Sequence, residues 1–148
     1  MPLGLQIIIQ VVFSFAGTIG YALCINIPRR ALVSCGICGM LGWMVYWFLW
    51  RFVGAGKVAS NLIAALIVGL VSYWFARTKK MPVTLFNIPA LVPLVPGATA
   101  YEAVRALVSG EFVNSIRLFL MVIMVIGAIA MGYMVAQVLI DIAKSMQK

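Results

Sequence analysis

Residues 87–104 read NIPALVPLVPGATAYEAV, from Asn87 to Val104, and place three prolines and a glycine inside an apolar run. A proline lacks a backbone donor and clashes with the carbonyl one turn back. Pro89, Pro93, Pro96 and Gly97 therefore predict an interruption in any helix drawn through them. The flanking residues are too apolar for a surface loop, and unpaired backbone at membrane depth persists only where protein or a water-filled cavity covers it. The expected structure is a transmembrane span broken near the bilayer midplane, with a fresh helix after the break. Thr99 followed by Glu102 matches a capping box with Thr99 as N-cap. The new helix start would present free amides and a positive dipole end within the membrane, the arrangement by which broken helices bind anionic groups in secondary transporters.

Composition agrees with a membrane setting. Of 148 residues, 65% are hydrophobic and 9% charged, against about 45–50% and about 25% in soluble domains. A water-soluble enzyme, a disordered tail and a nucleic-acid-binding module are excluded on these numbers. Eleven Lys and Arg against three acidic residues give a net charge of +8. They are scattered between apolar runs, as in membrane loops, not clustered into a basic face that would imply a nucleic-acid partner.

At roughly 20 residues per crossing, the runs at about 3–27, 31–50, 58–76, 83–108 and 115–142 predict five transmembrane helices. They form one all-α integral membrane domain over 1–148, the fourth span being the broken one. The last span is expected to start at Asn114 or Ser115 as a cap. The first run lacks a basic leader and is too long for a signal peptide. Arg29, Arg30, Arg77, Lys79, Lys80, Lys144 and Lys148 fall on one side; Arg51, Lys57, Arg105 and Arg117 fall on the other. This bias predicts a plasma (inner) membrane protein with its N-terminus out and its C-terminus cytoplasmic.

Helix faces add detail. At about 100° per residue, Gln6, Gln10, Ser14, Gly17, Tyr21 and Cys24 share one side of the first helix. They are expected to face inward, with Ile8, Val11, Val12, Phe15 and Ile19 toward lipid. That polar side serves either helix–helix hydrogen bonding or one wall of a path for a polar solute. Small-residue rows, Ala128–Gly132–Ala136, Ala65–Gly69 and Gly36–Gly39–Gly42, predict close helix packing within the chain or against a partner. Trp43, Tyr46, Trp47 and Trp50 predict an interfacial anchor, with a stacking site as the alternative. Cys35 and Cys38 form a C-x-x-C with no second pair and no histidine in the chain, so packing is expected rather than metal binding. Asp141 beside Lys144 is expected to form an ion pair, with proton coupling as its other reading. Glu102, one turn from Arg105, is expected either to pair with it or, if desolvated, to be a proton-coupling candidate. With no phosphate-binding loop, nucleophile–base constellation or metal set, neither an enzyme nor a cofactor is expected.

Pro93-Leu94-Val95-Pro96-Gly97, with Tyr101 four places on, resembles the PxxPGxxxY element of the threonine/serine exporter (ThrE) family. Asn26-Ile27-Pro28, Arg30-Ala31-Leu32 and the Cys/Gly-rich start of the second helix resemble that family's C-terminal half, which some members make as a separate small subunit. The resemblance implies a secondary exporter of small carboxylate-bearing metabolites: threonine and serine, or succinate in some split members. It places Pro93, Pro96, Gly97 and Tyr101 in the family's motif and implies a larger membrane subunit as partner. An odd number of short spans cannot hold two matched halves for alternating access, which separately predicts an oligomer with another membrane subunit. The expected substrate-binding residues are Pro93, Pro96, Gly97, Thr99, Tyr101, Gln10 and Ser14, for a small amino acid or dicarboxylate. The other reading is an accessory subunit that assists assembly without touching substrate.

Overall fold

A computed structural model describes residues 3–146. Its elements are α1 (Leu3–Cys24), α2 (Arg29–Phe48, widening to π spacing over Leu49–Val53), α3 (Lys57–Lys79), α4 (Thr84–Ala90), α5 (Gly97–Val108) and α6 (Phe112–Ser145). Among the described residues there is no strand. Four helices, namely α1, α2 with its π turn, α3 and α6, are long and apolar enough to cross a membrane. The run at 83–108 instead forms the two shorter helices α4 and α5, joined by turn residues 91–96. Gly54 and Gly110 close the turns after α2 and α5 with φ of 69° and 82°, values that a residue without a Cβ adopts at no steric cost.

The first proline does not end its helix. Pro89 lies inside α4, where its missing N–H orphans the carbonyl of Leu85. The Cys35 thiol of α2 donates to that carbonyl at 3.3 Å, so the C-x-x-C does more than fill space. Cys35→Ala is expected to lower the stability of the folded chain by about 1–2 kcal/mol, since it strands a buried acceptor. Cys35→Ser should keep most of it. Thermal unfolding of both variants in detergent measures the difference, and equal losses would discount the bond.

Small residues set the packing. A Cβ on Gly132 would lie 2.5 Å from the Leu62 carbonyl oxygen and 2.9 Å from the Ala65 Cβ, and one on Gly69 would lie 2.7 Å from the Ala136 Cβ. The two rows therefore meet within the chain, and α6 runs parallel to α3. On α2, Gly36 receives Phe15 and Ile19, Gly39 receives Thr18, and Gly42 receives Val68. These contacts correct the expected face of α1. Ser14, Thr18 and Ala22 are its buried positions, with Val11, Phe15 and Ile19 half-buried beside them, while Gly17, Tyr21 and Cys24 are exposed. The glycine groove of α2 needs bulk to fill it, and Thr18 can enter because its hydroxyl donates back to the Ser14 carbonyl at 2.8 Å.

The Lys79 ammonium donates to the Arg30 carbonyl, and the Lys144 ammonium stands 5.1 Å from the centre of the Tyr73 ring. Arg29, Arg30, Arg77, Lys79, Lys80 and Lys144 thus gather at one end of the bundle, and Lys148 lies outside the described residues. With α3 and α6 parallel, the chain from Lys80 to Glu111 returns from that end to the other through α4, the turn and α5.

α6 has 34 residues and α3 has 23, about 51 and about 35 Å at 1.5 Å per residue. Their C-terminal ends lie close together, so the first turns of α6 project past Lys57. α5 folds back along these turns, tied by the Ser115 hydroxyl to the Ala103 carbonyl at 2.8 Å. That bond removes Ser115 as a cap. α6 begins at Phe112 without a side-chain cap, and Asn114 donates to the Glu111 carboxylate at 3.1 Å. Nor do the aromatics of α2 form one lipid-facing anchor: Trp50 is exposed, but Trp47 is buried and Trp43 and Tyr46 are half-buried. The π turn over Leu49–Val53 brings Phe52 edge-on to Trp47, with ring centres 5.8 Å apart.

Candidate functional site

The turn after α4 begins halfway along the bundle. A Cβ on Gly42 would meet Val68 and, at 3.5 Å, the Leu94 side chain; Gly42 and Val68 lie near the middle of α2 and α3. From there the chain climbs toward Asn61 and Lys57. Pro96, at φ −77° and ψ 53°, has the geometry of an inverse γ-turn, and the Gly97 N–H donates to the Val95 carbonyl at 2.8 Å. This turn delivers Gly97 directly into α5. Thr99 consequently sits third in the first turn and is not the N-cap; Pro96 holds that place, without a side-chain cap bond.

A helix start leaves four amides without intrahelical partners. Here Gly97 is satisfied by Val95, and Ala100 donates to the Pro96 carbonyl at 3.0 Å. The amides of Ala98 and Thr99 have no hydrogen-bond partner within the chain.

They border a cavity of about 190 Å³, lined by residues 93–99 together with Trp43, Tyr46, Lys57, Asn61, Met121 and Val125. Drug-sized sites run at about 300–1,000 Å³, so this one suits a small metabolite. Asn61 is 4% exposed. Its Nδ2 donates to the Lys57 carbonyl at 2.8 Å, which fixes the amide orientation, since the reversed one would set two oxygens face to face. Oδ1 is thereby the atom left over, buried and without a hydrogen-bond partner. Such a group costs about 1–3 kcal/mol unless something donates to it. Across the cavity the Trp43 indole N–H donates to Gln10 Oε1 at 2.6 Å, and the Trp43 and Tyr46 rings lie 5.2 Å apart. Lys57 is exposed at the mouth.

Of the residues expected at the site, Pro93, Pro96, Gly97 and Thr99 form one wall. Gln10 is not on the wall but steadies Trp43, which is. Ser14 is buried in the α1–α2 seam, donating to the Val11 carbonyl at 3.2 Å. Tyr101 is 68% exposed on α5. Glu102 is exposed too, in a groove between α5 and the start of α6 with Arg105, Ser109, Glu111 and Asn114. Its expected pairing with Arg105 is not made: the ion pair found among the described residues is Asp141–Lys144, at 3.3 Å. Trp43, Tyr46, Lys57, Asn61, Met121 and Val125 are further wall residues absent from the sequence-based set. Asn61 carried a usable signal, because an amide within an apolar helix is by default a functional candidate.

The arrangement has a polarity. Amides at a helix start, with Lys57 nearby, favour an anion, while Asn61 Oδ1 is an acceptor without a donor. Apolar side chains of Met121 and Val125 close the space between them. Among the described residues no group of three or more potential metal ligands gathers.

An all-helical, multi-pass membrane protein with a solute-sized cavity beside a free helix start has the build of a transport protein. The chain belongs to the threonine/serine exporter (ThrE) family, whose model matches residues 10–139. That family is one of membrane exporters, not of enzymes. An uncharacterized protein of Haemophilus influenzae is 24% identical over 136 residues, covering 86% of this chain and 46% of that protein. The chain thus spans about half the length of the curated relative it matches. No solved structure matches.

Proposed function

We propose that the chain binds a small hydroxy amino acid, threonine or serine, in the cavity at the start of α5, as one subunit of a secondary exporter. The observation that carries this reading is that Asn61, whose Oδ1 is buried and unpartnered, lines the same cavity as Ala98 and Thr99, whose amides have no partner. A carboxylate on the amides and an ammonium on Asn61 satisfy both ends of an amino acid at once. A dicarboxylate such as succinate brings no donor for Asn61 and fits less well. In this reading α4, the turn and α5 carry the chain across the membrane a fifth time. The end bearing Arg30 and Lys79 faces the cytoplasm across the plasma membrane, in keeping with the distribution of basic residues. A larger membrane subunit supplies the rest of the translocation path, as the half-length match to the relative supports.

Gly97→Val tests the reading. A Cβ at Gly97 meets nothing within 4 Å, so the variant is expected to reach normal levels in the membrane. Its branched side chain would crowd the amides, and loss of charge-assisted bonds worth about 1.5–3 kcal/mol lowers uptake of labelled L-threonine into inside-out vesicles by about tenfold or more. Unchanged threonine and serine transport by a normally assembled variant would remove the cavity from the substrate path and favour an accessory role.

A further inference from the structure

A second, open recess lies toward the end bearing Arg30 and Lys79, mostly apolar with polar groups at its edge. Helices α4 and α6 do not pack against each other, and the crevice between them, about 400 Å³, is lined by Asn87, Leu91, Tyr133, Met134 and Gln137. Two of these lining residues each carry a buried polar atom without a hydrogen-bond partner, Asn87 Oδ1 and the Tyr133 hydroxyl. The Tyr133 ring lies against Gly69, which would put a Cβ 3.3 Å from it, so the hydroxyl is held in place by close packing behind the ring. Gln137 is held as well, its Nε2 donating to both carboxylate oxygens of Asp141 at 3.1 Å, which leaves Oε1 free to accept.

Lipid chains cannot satisfy these atoms, since they bring no donors. A polar solute can, and the crevice and the cavity are both lined by α6 and by the broken segment. Met121 and Val125, which line the cavity, and Tyr133 and Gln137, which line the crevice, lie on one four-step row of α6 with Ile129 between them, a row that winds about 40° around the helix at each step. On the other side the same broken segment supplies both, residues 93–99 to the cavity and Asn87 and Leu91 to the crevice. Leu94, Val68, Val125 and Ile129, all buried, form the apolar layer between the two.

We infer that the α4–α6 crevice is a second binding station on the path of the same solute, recognising its ammonium and hydroxyl end through Asn87 Oδ1, the Tyr133 hydroxyl and Gln137 Oε1. This rests on the proposed function, with a division of labour added. The outer cavity holds the carboxylate at amides, and the crevice, which presents acceptors backed by Asp141, holds the donor end. It therefore selects hydroxy amino acids over dicarboxylates.

Cysteine protection tests the inference in membrane vesicles that contain the full chain with its natural partners. Met134→Cys, at a lining residue to which no binding role is assigned, and Thr99→Cys are made separately on a Cys24→Ala background, because Cys35 and Cys38 are buried, and are treated with a membrane-impermeant maleimide. Met134→Cys is expected to react from the face bearing Arg30 and Lys79, and Thr99→Cys from the opposite face. L-threonine at roughly ten times its Kd should slow both reactions about tenfold, because labelling needs an empty site, and succinate should not slow the first. Adding Asn87→Leu should raise the threonine concentration that protects Met134→Cys by about tenfold, with protection of Thr99→Cys unchanged. Protection of Thr99→Cys alone overturns the second station and leaves the proposed function standing; protection of neither sinks both. Labelling of Met134→Cys only after detergent extraction shows the crevice covered by lipid or a protein partner, which overturns the inference, as does equal protection by succinate.

Discussion

Asn61→Leu is expected to lower L-threonine transport at subsaturating concentration by about 10–100-fold, with normal amounts of protein in the membrane. The two side chains are close in volume, and Asn61 is 4% exposed, so the packing against its neighbours is largely kept. What goes is the acceptor for an ammonium or hydroxyl hydrogen, and a hydrogen bond to a charged group is worth about 1.5–3 kcal/mol, which converts to that range of affinity. The bond from Asn61 to the Lys57 carbonyl also goes; it lies in the first turn of α3, where its loss is mild. The choice of solute separates binding from damage. Succinate has no donor for Oδ1, so any succinate transport should fall far less than threonine transport. Equal losses for both would mean that the substitution disturbs the bundle, and unchanged threonine transport would mean that Asn61 meets no substrate.

Gly132→Val is expected to prevent the bundle from closing. A Cβ there would sit 2.5 Å from the Leu62 carbonyl oxygen and 3.1 Å from the Leu66 nitrogen. Both are backbone atoms of α3, which cannot swing aside as a side-chain tip would. Overpacking a tight core costs about 1–3 kcal/mol, and a clash with backbone over two helices should exceed the upper figure. The expected readout is strong loss of protein from the membrane or a large drop in thermal stability after extraction. Gly127→Ala, where a Cβ meets nothing within 4 Å, is the control on the same helix and should be neutral. A stable Gly132→Val chain would show that α3 and α6 are not seamed through this glycine.

Much of this architecture was legible in the residues. Hydropathy located the four long helices, and the steps of four and three among small residues marked the faces that pack, because close approach of helices depends on side-chain size alone. Pro93 and Pro96 likewise fall in the turn between α4 and α5, since neither supplies a backbone donor to a helix. The face of α1 was misjudged for a physical reason. Polarity was taken as a sign of burial, whereas the grooves cut by Gly36 and Gly39 take in Phe15, Ile19 and Thr18 by shape. Thr99 was misread because the capping-box pattern ignores how the chain arrives, and the γ-turn at Pro96 starts α5 three residues sooner. Pro89 was read as a breaker because the sequence does not show that Cys35, far away in the chain, satisfies the carbonyl it orphans. The opposite wall of the cavity, Trp43, Tyr46 and Asn61, comes from other helices altogether and depends on register, which periodicity does not give.

The overhang of α6 has a mechanical consequence. A rod of about 51 Å is longer than a hydrocarbon slab about 30 Å thick, and the hairpin of α5 with the opening turns of α6 extends past the end of the shorter α3. Gly97 begins that hairpin and also borders the cavity. Anything that grips the protruding tip, through the polar groove of Glu102, Arg105 and Glu111, holds a handle rigidly attached to the chamber wall, and a tug on it is felt first at Pro96.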